Sequence, residues 1–306
     1  MELADLLGLG QTALELGVIC SLVALALFLS YTMLGVCDLS TDGCFTLGAA
    51  VGGVIALAGH PLLAPLGAVG AGVCSGLVTA LLQTKLGVES LLAGIVVNTG
   101  LYSVNIAVME GASLLNLNQA DTVFTGMKGL LKGTPAAGLS TLLAAGGAVA
   151  AVILFLTIFL RTRLGLAIRA VGDNPDMVRS AAVDPSFPTI VGLCLSGGIT
   201  GLAGCLLTQS QRVVSVDVGS GMVTMALASL LIGRTLFGEG SILRQAGSMV
   251  AGSVLFRLIY ALALQFHMPA FMLKLVSAVI VAVTISGPYL ASRRLTAGKK
   301  GGWSLC

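Results

Sequence analysis

Two acidic residues four positions apart form the pair in this sequence that is best spaced for acid–base chemistry. Asp38 and Asp42 stand in "LGVCDLSTDGCFTLGAA", where the first long apolar run ends and the next begins. Paired carboxylates can share a proton, which is the chemistry of an intramembrane acid protease. Asp42-Gly43 before a fresh apolar run is also typical of a helix N-cap, in which Asp accepts hydrogen bonds from unpaired backbone N–H groups. Capping is favoured, and a place on a transport pathway and acid catalysis stay open.

A second polar group lies inside an apolar run, in "GIVVNTGLYSVNIAVMEG". Asn98, Tyr102 and Asn105 follow the spacing i, i+4 and i+7, which places them on one face of a helix. Amides in hydrocarbon are costly unless they find partners. The pattern predicts either an interhelical hydrogen-bond seam or the lining of a polar route, and Gln209 is a weaker candidate near a segment end. The predicted translocation-pathway residues are Asp38, Asp42, Asn98, Tyr102, Asn105 and Gln209.

Other catalytic and cofactor chemistry lacks its motifs. The sequence contains no H-E-x-x-H, no G-x-x-x-x-G-K-[ST] and no G-x-S-x-G, so the scaffolds of zinc hydrolysis, nucleotide hydrolysis and the serine elbow are missing. The seven cysteines form no C-x-x-C pair and lie mostly in apolar runs, where free cysteine packs as a small hydrophobe. We therefore expect no catalytic residue, no metal site and no cofactor.

The elements that position these residues are membrane helices. Hydrophobic residues make up 56% of the chain and charged residues 9%, and a spanning helix needs roughly 20 largely apolar residues. The run from 43 to 84 is long enough for two passes, broken at His60-Pro61 because Pro ends helices. The sequence lacks the alternation of about ten residues that marks outer-membrane barrel strands. We predict one all-α polytopic membrane domain over 1–306 with about nine (8–10) transmembrane helices, from the uncharged runs 16–37, 43–84, 90–109, 133–160, 185–211, 218–233, 258–273 and 275–292, with an added pass at about 245–265.

Glycine indicates how these helices pack. Most of the 41 glycines stand inside the apolar runs, and small residues let helices approach closely in a bilayer. We therefore expect a tight bundle with short, Gly-rich broken helices. The segments 21–53 and 195–233 each read as an apolar helix, a polar stretch with Asp and a Gly-rich helix start, and they would enter from opposite sides. This is a possible inverted repeat, which in membrane proteins points to a transport pathway.

The distribution of Lys and Arg predicts the orientation. With the N-terminus outside and alternating passes, eleven of these cations fall in inner loops or the C-terminal tail, and three fall outside. Positive loops face the cytoplasm. The pattern predicts an external loop at 110–137, a cytoplasmic loop at 161–187 and a cytoplasmic C-terminus. The net charge of +3 is thus a topology signal and does not indicate nucleic-acid binding.

The predicted cytoplasmic loop has a helical pattern with one interruption. "RTRLGLAIRAVGDNPDMVRSAAVDP" pauses at residues 172–175, where Asp/Asn-Pro chemistry favours a turn and a new helix start. It resumes with Met177 and Ala181 on one side. The loop is predicted to hold a short amphipathic helix that presents a face to a partner protein, and a helix on the lipid surface is the alternative.

Four stretches, in order along the chain, resemble the permease subunits of bacterial ABC importers of the branched-chain amino acid and ribose type, in the tryptophan/tyrosine branch. The most specific is "TRLGLAIRAVGDNPDMVRSAAVD", which resembles the loop that docks into the ATPase subunit. The resemblance implies a transport fold in the bacterial inner membrane, without ATPase activity of its own. It also implies an ABC ATPase partner, an external substrate-binding protein and a second permease subunit, which we expect to be a homodimer copy. The stretches are 38–51, 91–109, 162–184 and 201–233.

The same resemblance assigns roles in the coupling loop. Gly172, Asp173, Asn174 and Pro175 would shape the coupling turn, and Met177 and Ala181 would face the ATPase. One departure is Arg234, which stands where the resemblance predicts an acidic residue. The expected coupling residues are Arg169, Gly172, Asp173, Asn174, Pro175, Met177 and Ala181.

The solute is the least determined part of the prediction. An aromatic or branched-chain amino acid is our first expectation, and a sugar or nucleoside is the second. The rival from another class is a stand-alone secondary transporter, which needs buried ionisable residues for ion coupling. Arg257 and Lys274 are the charged residues inside the late helices, and no acid stands beside them in sequence.

Overall fold

The computed structural model describes residues 3–130, 139–182, 184–238 and 240–265, with six further positions between 275 and 283. Helices make up most of these residues, which confirms the all-α class. A π-helical turn, Phe28–Met33, continues the first helix, and the strands are β1 (Leu114–Asn116) and β2 (Val213–Ser215). The helices are α1 (Leu3–Leu27), α2 (Thr41–Leu57), α3 (Ala64–Thr84), α4 (Ser90–Val108), α5 (Val123–Leu130), α6 (Ser140–Phe159), α7 (Arg163–Asp173), α8 (Pro175–Ser180), α9 (Ser186–Gln211), α10 (Met222–Phe237) and α11 (Ile242–Gln265).

The described residues contain six helices that are long and apolar enough to cross a membrane. These are α1 with its π-helical extension, α3, α4, α6, α9 and α11, and the shorter apolar helices α2 and α10 bring the number to eight. They coincide with eight of the nine predicted passes. The last predicted pass, 275–292, lies mostly outside the described residues, as do the basic tail and Lys274.

The long run from 43 to 84 divides where its prolines predict. α2 ends at Leu57, and α3 begins at Ala64 with Pro65 in its first turn. Pro is tolerated at that position because the N–H it lacks would have no helical partner. Gly59, with a φ of +85°, makes the turn between the two helices. The predicted break at His60-Pro61 is confirmed.

The break between α1 and α2 has a different form. α1 continues into the π-helical turn, and the backbone N–H of Val36 still donates to Ser30 O over 2.9 Å. Residues 34–40 lie outside the helices, before α2 starts at Thr41. Local π-helical geometry often marks a functional position in a helix. The predicted broken, Gly-rich helix architecture is present here.

Glycine allows α9 to pack backbone to backbone with two other helices. A Cβ on Gly72 of α3 would collide with Gly197 O of α9, and a Cβ on Gly48 of α2 would collide with Gly201 O. Such close contacts increase the van der Waals attraction between helices, which matters in a bilayer because lipid supplies no hydrophobic driving force between them. Larger side chains, among them Phe28 of the π-turn, fill the space between α1 and its neighbours. The expected tight bundle is confirmed.

Two contacts join the loops at the ends of this bundle. β1 pairs antiparallel with β2, so Leu115 stands opposite Val214, and the α4–α5 connection meets the α9–α10 connection. Elsewhere, Gly172 of α7 packs against the backbone of Met33. Each contact joins chain segments separated by an even number of apolar helices.

Candidate functional site

The N-terminal ends of α2 and α10 meet at Asp42. The backbone N–H of Gly221 donates to Asp42 Oδ2 over 3.0 Å, and that of Val223 donates to Oδ1 over 2.8 Å. A carboxylate is favourable here because unpaired N–H groups give a helix N-terminus a partial positive charge. Asp42 therefore caps α10, which starts about 180 residues further along the chain.

The prediction that Asp42 caps the helix immediately after it is wrong. α2 already begins at Thr41, and its N-cap residue Ser40 makes no capping bond with its side chain. Asp42 thus lies in the first turn of α2, and its carboxylate reaches the neighbouring helix. α10 has no polar cap of its own, because its N-cap residue is Gly221.

Glycine at 219 brings the two ends together. The N–H of Gly219 donates to Thr46 Oγ1 over 3.2 Å. A Cβ on Gly219 would collide with the carbonyl oxygen of Asp42. The approach of this backbone to α2 therefore requires a residue without a side chain.

A polar cavity of about 430 Å³ opens beside this junction. Its walls come from the start of α2, one face of α4 and the connection between α9 and α10. Most of the lining side chains carry hydroxyl, amide or carboxylate groups, although the surrounding helices are apolar. The lining residues are Asp42, Gly43, Thr46, Asn98, Thr99, Tyr102, Ser103, Asn105, Val216, Asp217 and Ser220.

One polar residue of α4 forms an interhelical hydrogen bond, and its neighbours on the same face line the cavity. Asn105 is 1% exposed, and its Nδ2 donates to Gly43 O on α2 over 3.3 Å, which is an interhelical hydrogen bond. Asn98 is half-buried and Tyr102 is 54% exposed, and both line the cavity. Four of the six predicted pathway residues are thus brought together. Their role in translocation stays a prediction.

Asp38 and Gln209 are held elsewhere. Asp38 is 3% exposed and accepts from the N–H of Ser40 at 2.9 Å and from its hydroxyl at 2.6 Å, so it shapes the turn before α2. Gln209 is 1% exposed, accepts from the N–H of Val123 at 2.9 Å and joins α5 to α9. Neither residue is among those that line the cavity.

The hypothesis of an acid-catalytic pair is not supported by this geometry. Asp38 accepts its hydrogen bonds from Ser40, whereas Asp42 accepts from the N-terminus of α10. No hydrogen bond joins the two carboxylates, both of which belong to the described part of the chain. They therefore do not share a proton as an acid-protease pair does.

Several lining residues were not predicted from the sequence. Thr99 and Ser103 lie four positions apart on α4, next to Asn98 and Tyr102, so the same helical spacing could have found them. Asp217 lies in the polar stretch of the second proposed repeat segment. Thr46 gave no signal, because a hydroxyl in the second turn of an apolar helix commonly bonds its own backbone, as Thr46 does to Asp42 O.

The predicted coupling loop forms two short helices with local caps. Thr162 Oγ1 accepts from the N–H of Gly165 at 3.3 Å and starts α7. Asn174 Oδ1 accepts from the N–H groups of Asp176 at 3.0 Å and Met177 at 3.1 Å, and Pro175 is the first residue of α8. Both are favoured N-terminal arrangements. The predicted turn and new helix start are confirmed.

The predicted coupling residues fall into two groups. Most are exposed, and Met177 has 66% of its surface accessible. Gly172 differs, because it lies inside α7 and its backbone packs against Met33 O, where a Cβ would collide. Its role in shaping the turn stays a prediction, and the structure adds a packing contact with the end of the π-helical turn. The exposed residues are Arg169, Asp173, Asn174, Pro175, Met177 and Ala181.

The charged side chains of this loop interact with residues close to them in sequence. Arg179 forms a salt bridge with Asp176 at 3.2 Å, and both side chains are largely exposed, so it adds little stability. Near the start of α9, the N–H of Ser186 donates to Asp184 over 2.9 Å. This backbone hydrogen bond holds the pKa of the Asp184 carboxyl below its ordinary value. Buried side chains such as Ile168 anchor α7 to the bundle.

The remaining membrane cations have local partners. Arg234 lies in the last turn of α10, where a cation is favourable because helix carbonyls give that end a negative charge. Arg257 donates to Cys20 Sγ at 3.0 Å and lies 5.8 Å from the centre of the Tyr260 ring. In the described ranges of α1 and α11, no carboxylate is hydrogen-bonded to Arg257.

Comparison with known proteins identifies the chain. The family described as branched-chain amino acid transport system, permease component, matches residues 11–285. The chain belongs to this family. It is therefore a permease component of an ABC-type transport system and is not itself an enzyme. This assignment decides against a stand-alone secondary transporter.

Individual relatives agree with the family assignment. The tyrosine transport system permease protein of Clostridioides difficile is 31% identical to this permease over 264 residues, which is 86% of this chain and 85% of the relative. A probable branched-chain amino acid transport permease protein of Methanocaldococcus jannaschii is 25% identical over 244 residues, 78% of this chain and 66% of that protein. The D-allose transport system permease protein of Escherichia coli is 35% identical over 109 residues, 35% of this chain and 33% of its own. No solved structure matches this permease.

Proposed function

We propose that the chain is the membrane-spanning permease subunit of an ABC importer that carries an aromatic or branched-chain amino acid into a bacterial cell. It works with an ABC ATPase subunit, an external substrate-binding protein and a second copy of itself in the inner membrane. ATP hydrolysis belongs to the partner chain. The permease supplies the route for the solute.

The observation that carries this proposal is the polar cavity beside the α2–α10 junction. It opens at the surface of the single chain, because Thr99, Tyr102, Ser103 and Asp217 are exposed there. Polar groups at a lipid-facing surface are costly, so a second protein surface must cover them within the membrane. A second permease copy would cover this opening and complete an enclosed polar route.

The choice of solute rests on how far the relatives extend. The tyrosine permease aligns with 86% of the chain, whereas the D-allose permease aligns with 35%. The extended match supports an amino acid. A sugar is the second candidate, supported by the shorter match.

The contacts of α7 and α8 support the coupling role. α8 presents Met177 outward, and α7 packs through Gly172 on the last residue of the π-helical turn, Met33. Beyond Met33 the chain leads through residues 34–40 to α2 and Asp42 in the cavity wall. A displacement of α8 by a docked ATPase thus has a continuous packed path towards the cavity.

The orientation follows the positive-inside rule. Arg161, Arg163, Arg169 and Arg179 cluster on the α6–α9 connection, which we place in the cytoplasm with the ATPase. The strand pair β1–β2 is then external, where a binding protein docks. This arrangement places the N-terminus outside and the C-terminus in the cytoplasm.

The test is reconstitution of the transporter in liposomes. The permease is purified from its native membrane with its bound chains, which are identified by mass spectrometry. We expect a P-loop ATPase to co-purify. The reconstituted complex with its binding protein should accumulate tyrosine or leucine only when ATP is present on the side of the liposome membrane that carries the ATPase. Accumulation of D-allose in place of amino acids would favour the sugar candidate. Uptake that continues without ATP would overturn the importer proposal.

A further inference from the structure

The charge of the cavity has one sign. Asp42 and Asp217 both line it, and among the described lining residues none is Lys, Arg or His. The Asp42 carboxylate is used to hold α10, as its two hydrogen bonds show. Asp217 is exposed, and no hydrogen bond to its carboxylate is found within the described ranges. Among the described residues, the cavity therefore has one carboxylate without a hydrogen-bond partner, that of Asp217, beside a structural one, that of Asp42.

Asn105 supplies an independent observation in the same cavity. Its Nδ2 donates to Gly43 O, which fixes the orientation of the amide, because the flipped amide would place two oxygens together. Its Oδ1 is buried and has no donor within the described chain. A buried acceptor without a partner costs free energy, and this one belongs to a side chain that lines the cavity. The missing partner is a hydrogen-bond donor.

We propose that the cavity recognises the ammonium group of the transported solute, with Asp217 as the counter-charge and Asn105 Oδ1 as a hydrogen-bond acceptor. This inference rests on the proposed importer function and specifies which end of the solute the permease reads. An ammonium group carries three donors and one positive charge, so its chemistry matches both a carboxylate and an amide oxygen. Asp42 adds negative potential and holds the wall in place. The amide of Asn98 and the hydroxyl of Tyr102 remain for the rest of the solute.

An alkali cation is the competing occupant, since carboxylate and carbonyl oxygens also bind hard cations. The described residues contain no group of three or more His, Cys, Asp or Glu side chains that could hold a metal ion. One exposed carboxylate and one amide oxygen give a poor metal site but a sufficient pair for an organic amine. The ammonium group is therefore the occupant we infer, and sodium is included in the test.

The experiment compares three probes that share a ring and chain length and differ in one group. Phenethylamine carries an ammonium, 2-phenylethanol is neutral, and 3-phenylpropionate carries a carboxylate. Each is titrated into the permease–ATPase complex in nanodiscs, and binding is followed by saturation-transfer difference NMR, with empty nanodiscs correcting for lipid partition. We expect phenethylamine to bind about tenfold more tightly than the alcohol, because the charged pair adds to the shared ring contacts.

Four variants locate the effect. D217N keeps the shape of an exposed side chain and removes its charge, and N105L removes the buried acceptor; each should weaken phenethylamine binding about tenfold. N105D keeps an acceptor oxygen but replaces the amide N–H that donates to Gly43 O, so it should lose stability as N105L does and still keep the preference for phenethylamine, which separates recognition from loss of the interhelical bond. T157A is the matched control, since the hydroxyl of Thr157 donates to Ile153 O in its own helix, α6, and Thr157 is not among the residues that line the cavity. This control should leave the binding of all three probes unchanged.

Three results would overturn the inference. The first is equal binding of phenethylamine and 3-phenylpropionate. The second is a preference for the amine that survives in both D217N and N105L. The third is displacement of phenethylamine by sodium chloride but not by N-methylglucamine chloride at equal ionic strength, which would make this an alkali-cation site.

ATP-driven uptake of tyrosine or leucine by the same preparation keeps the two proposals apart. Uptake without an ammonium preference would remove only this inference. An ammonium preference without amino-acid uptake would remove the proposed solute and keep the site.

Discussion

The coupling segment and the polar cavity are held together in opposite ways. In the coupling segment, formed by α7 and α8, the capping and ionic bonds join residues two or three positions apart. In the cavity, the bond from Asn105 to Gly43 spans 62 positions and those to Asp42 span 179 and 181. The caps and the ion pair of the coupling segment can change without disturbing the bundle, whereas buried residues such as Ile168 anchor α7 to it. The cavity wall is part of the bundle, so its structural residues cannot be replaced without disturbing the bundle.

The largest expected effect is at Asp42. D42A leaves the N–H groups of Gly221 and Val223 without acceptors, so we expect a loss of about 3 kcal/mol in the free energy of unfolding. D42N should lose about half of that, because the amide keeps one acceptor oxygen and turns an NH₂ towards the other N–H. Unfolding of the purified permease in mixed micelles measures both losses.

The matched control for Asp42 is the other carboxylate of the cavity. D217N should change the free energy of unfolding by less than about 0.5 kcal/mol, since an exposed side chain without a structural hydrogen bond is replaced. Equal losses in D42A and D217N would contradict the assignment of Asp42 as the cap of α10.

The next effect is at Gly172, where the coupling segment contacts the π-helical turn. G172V places a branched side chain against Met33 O, and the strain should cost about 2 kcal/mol of stability. A G172V variant that keeps its stability but loses ATP-driven uptake would contradict this expectation. It would show that the contact can relax and that α7 packs less tightly on the π-helical turn. Thermal unfolding and ATP-driven uptake, measured on one preparation, separate these outcomes.

A smaller and purely local effect is expected at Asn174. N174A removes the cap of α8 and should cost about 1 kcal/mol of local helix stability, while N174D should restore it. Hydrogen exchange of the amides of Asp176 and Met177 reads this change directly. Unchanged exchange in N174A would mean that packing of Val178, which is buried, suffices to hold α8.

The smallest effect on stability is expected at Met177. M177E changes a side chain that is 66% exposed, so the melting temperature should stay the same. If α8 docks on the ATPase, a charge in that interface should lower ATP-driven uptake about tenfold. L166E is the matched control, because Leu166 is an exposed apolar residue of α7 outside α8. Equal uptake by M177E and the unmodified permease would argue against docking through α8.

Features that depend on neighbours in sequence were predictable. The turn at Asn174-Pro175 and the break around His60-Pro61 follow from Asn capping and from the missing N–H of Pro, and both appear where the sequence places them. The shared face of Asn98, Tyr102 and Asn105 follows from helical period alone. These features needed no information about other helices.

Features that depend on contacts between distant segments were not predictable. Asp42 looked like a cap for its own helix because that geometry is common, and nothing in its surroundings pointed to the start of α10. The family resemblance assigns Gly172 to the coupling turn, and only the structure adds that the backbone of Met33 occupies the space where a side chain of residue 172 would be. Gln209 looked like a pathway residue, and its partner is the N–H of Val123 at the start of α5.

The sequence by itself determined the helical membrane class, the positions of the apolar helices as far as α11, the caps of the coupling segment and the family resemblance. Each depends on composition, period or adjacent residues, which a chain carries before it folds. Tertiary structure alone decided which polar residues share the cavity, because residues near positions 42, 98–105 and 217 meet only when α2, α4 and the α9–α10 connection pack together. The free energies of these hydrogen bonds depend on distance and burial, and neither is a property of sequence spacing.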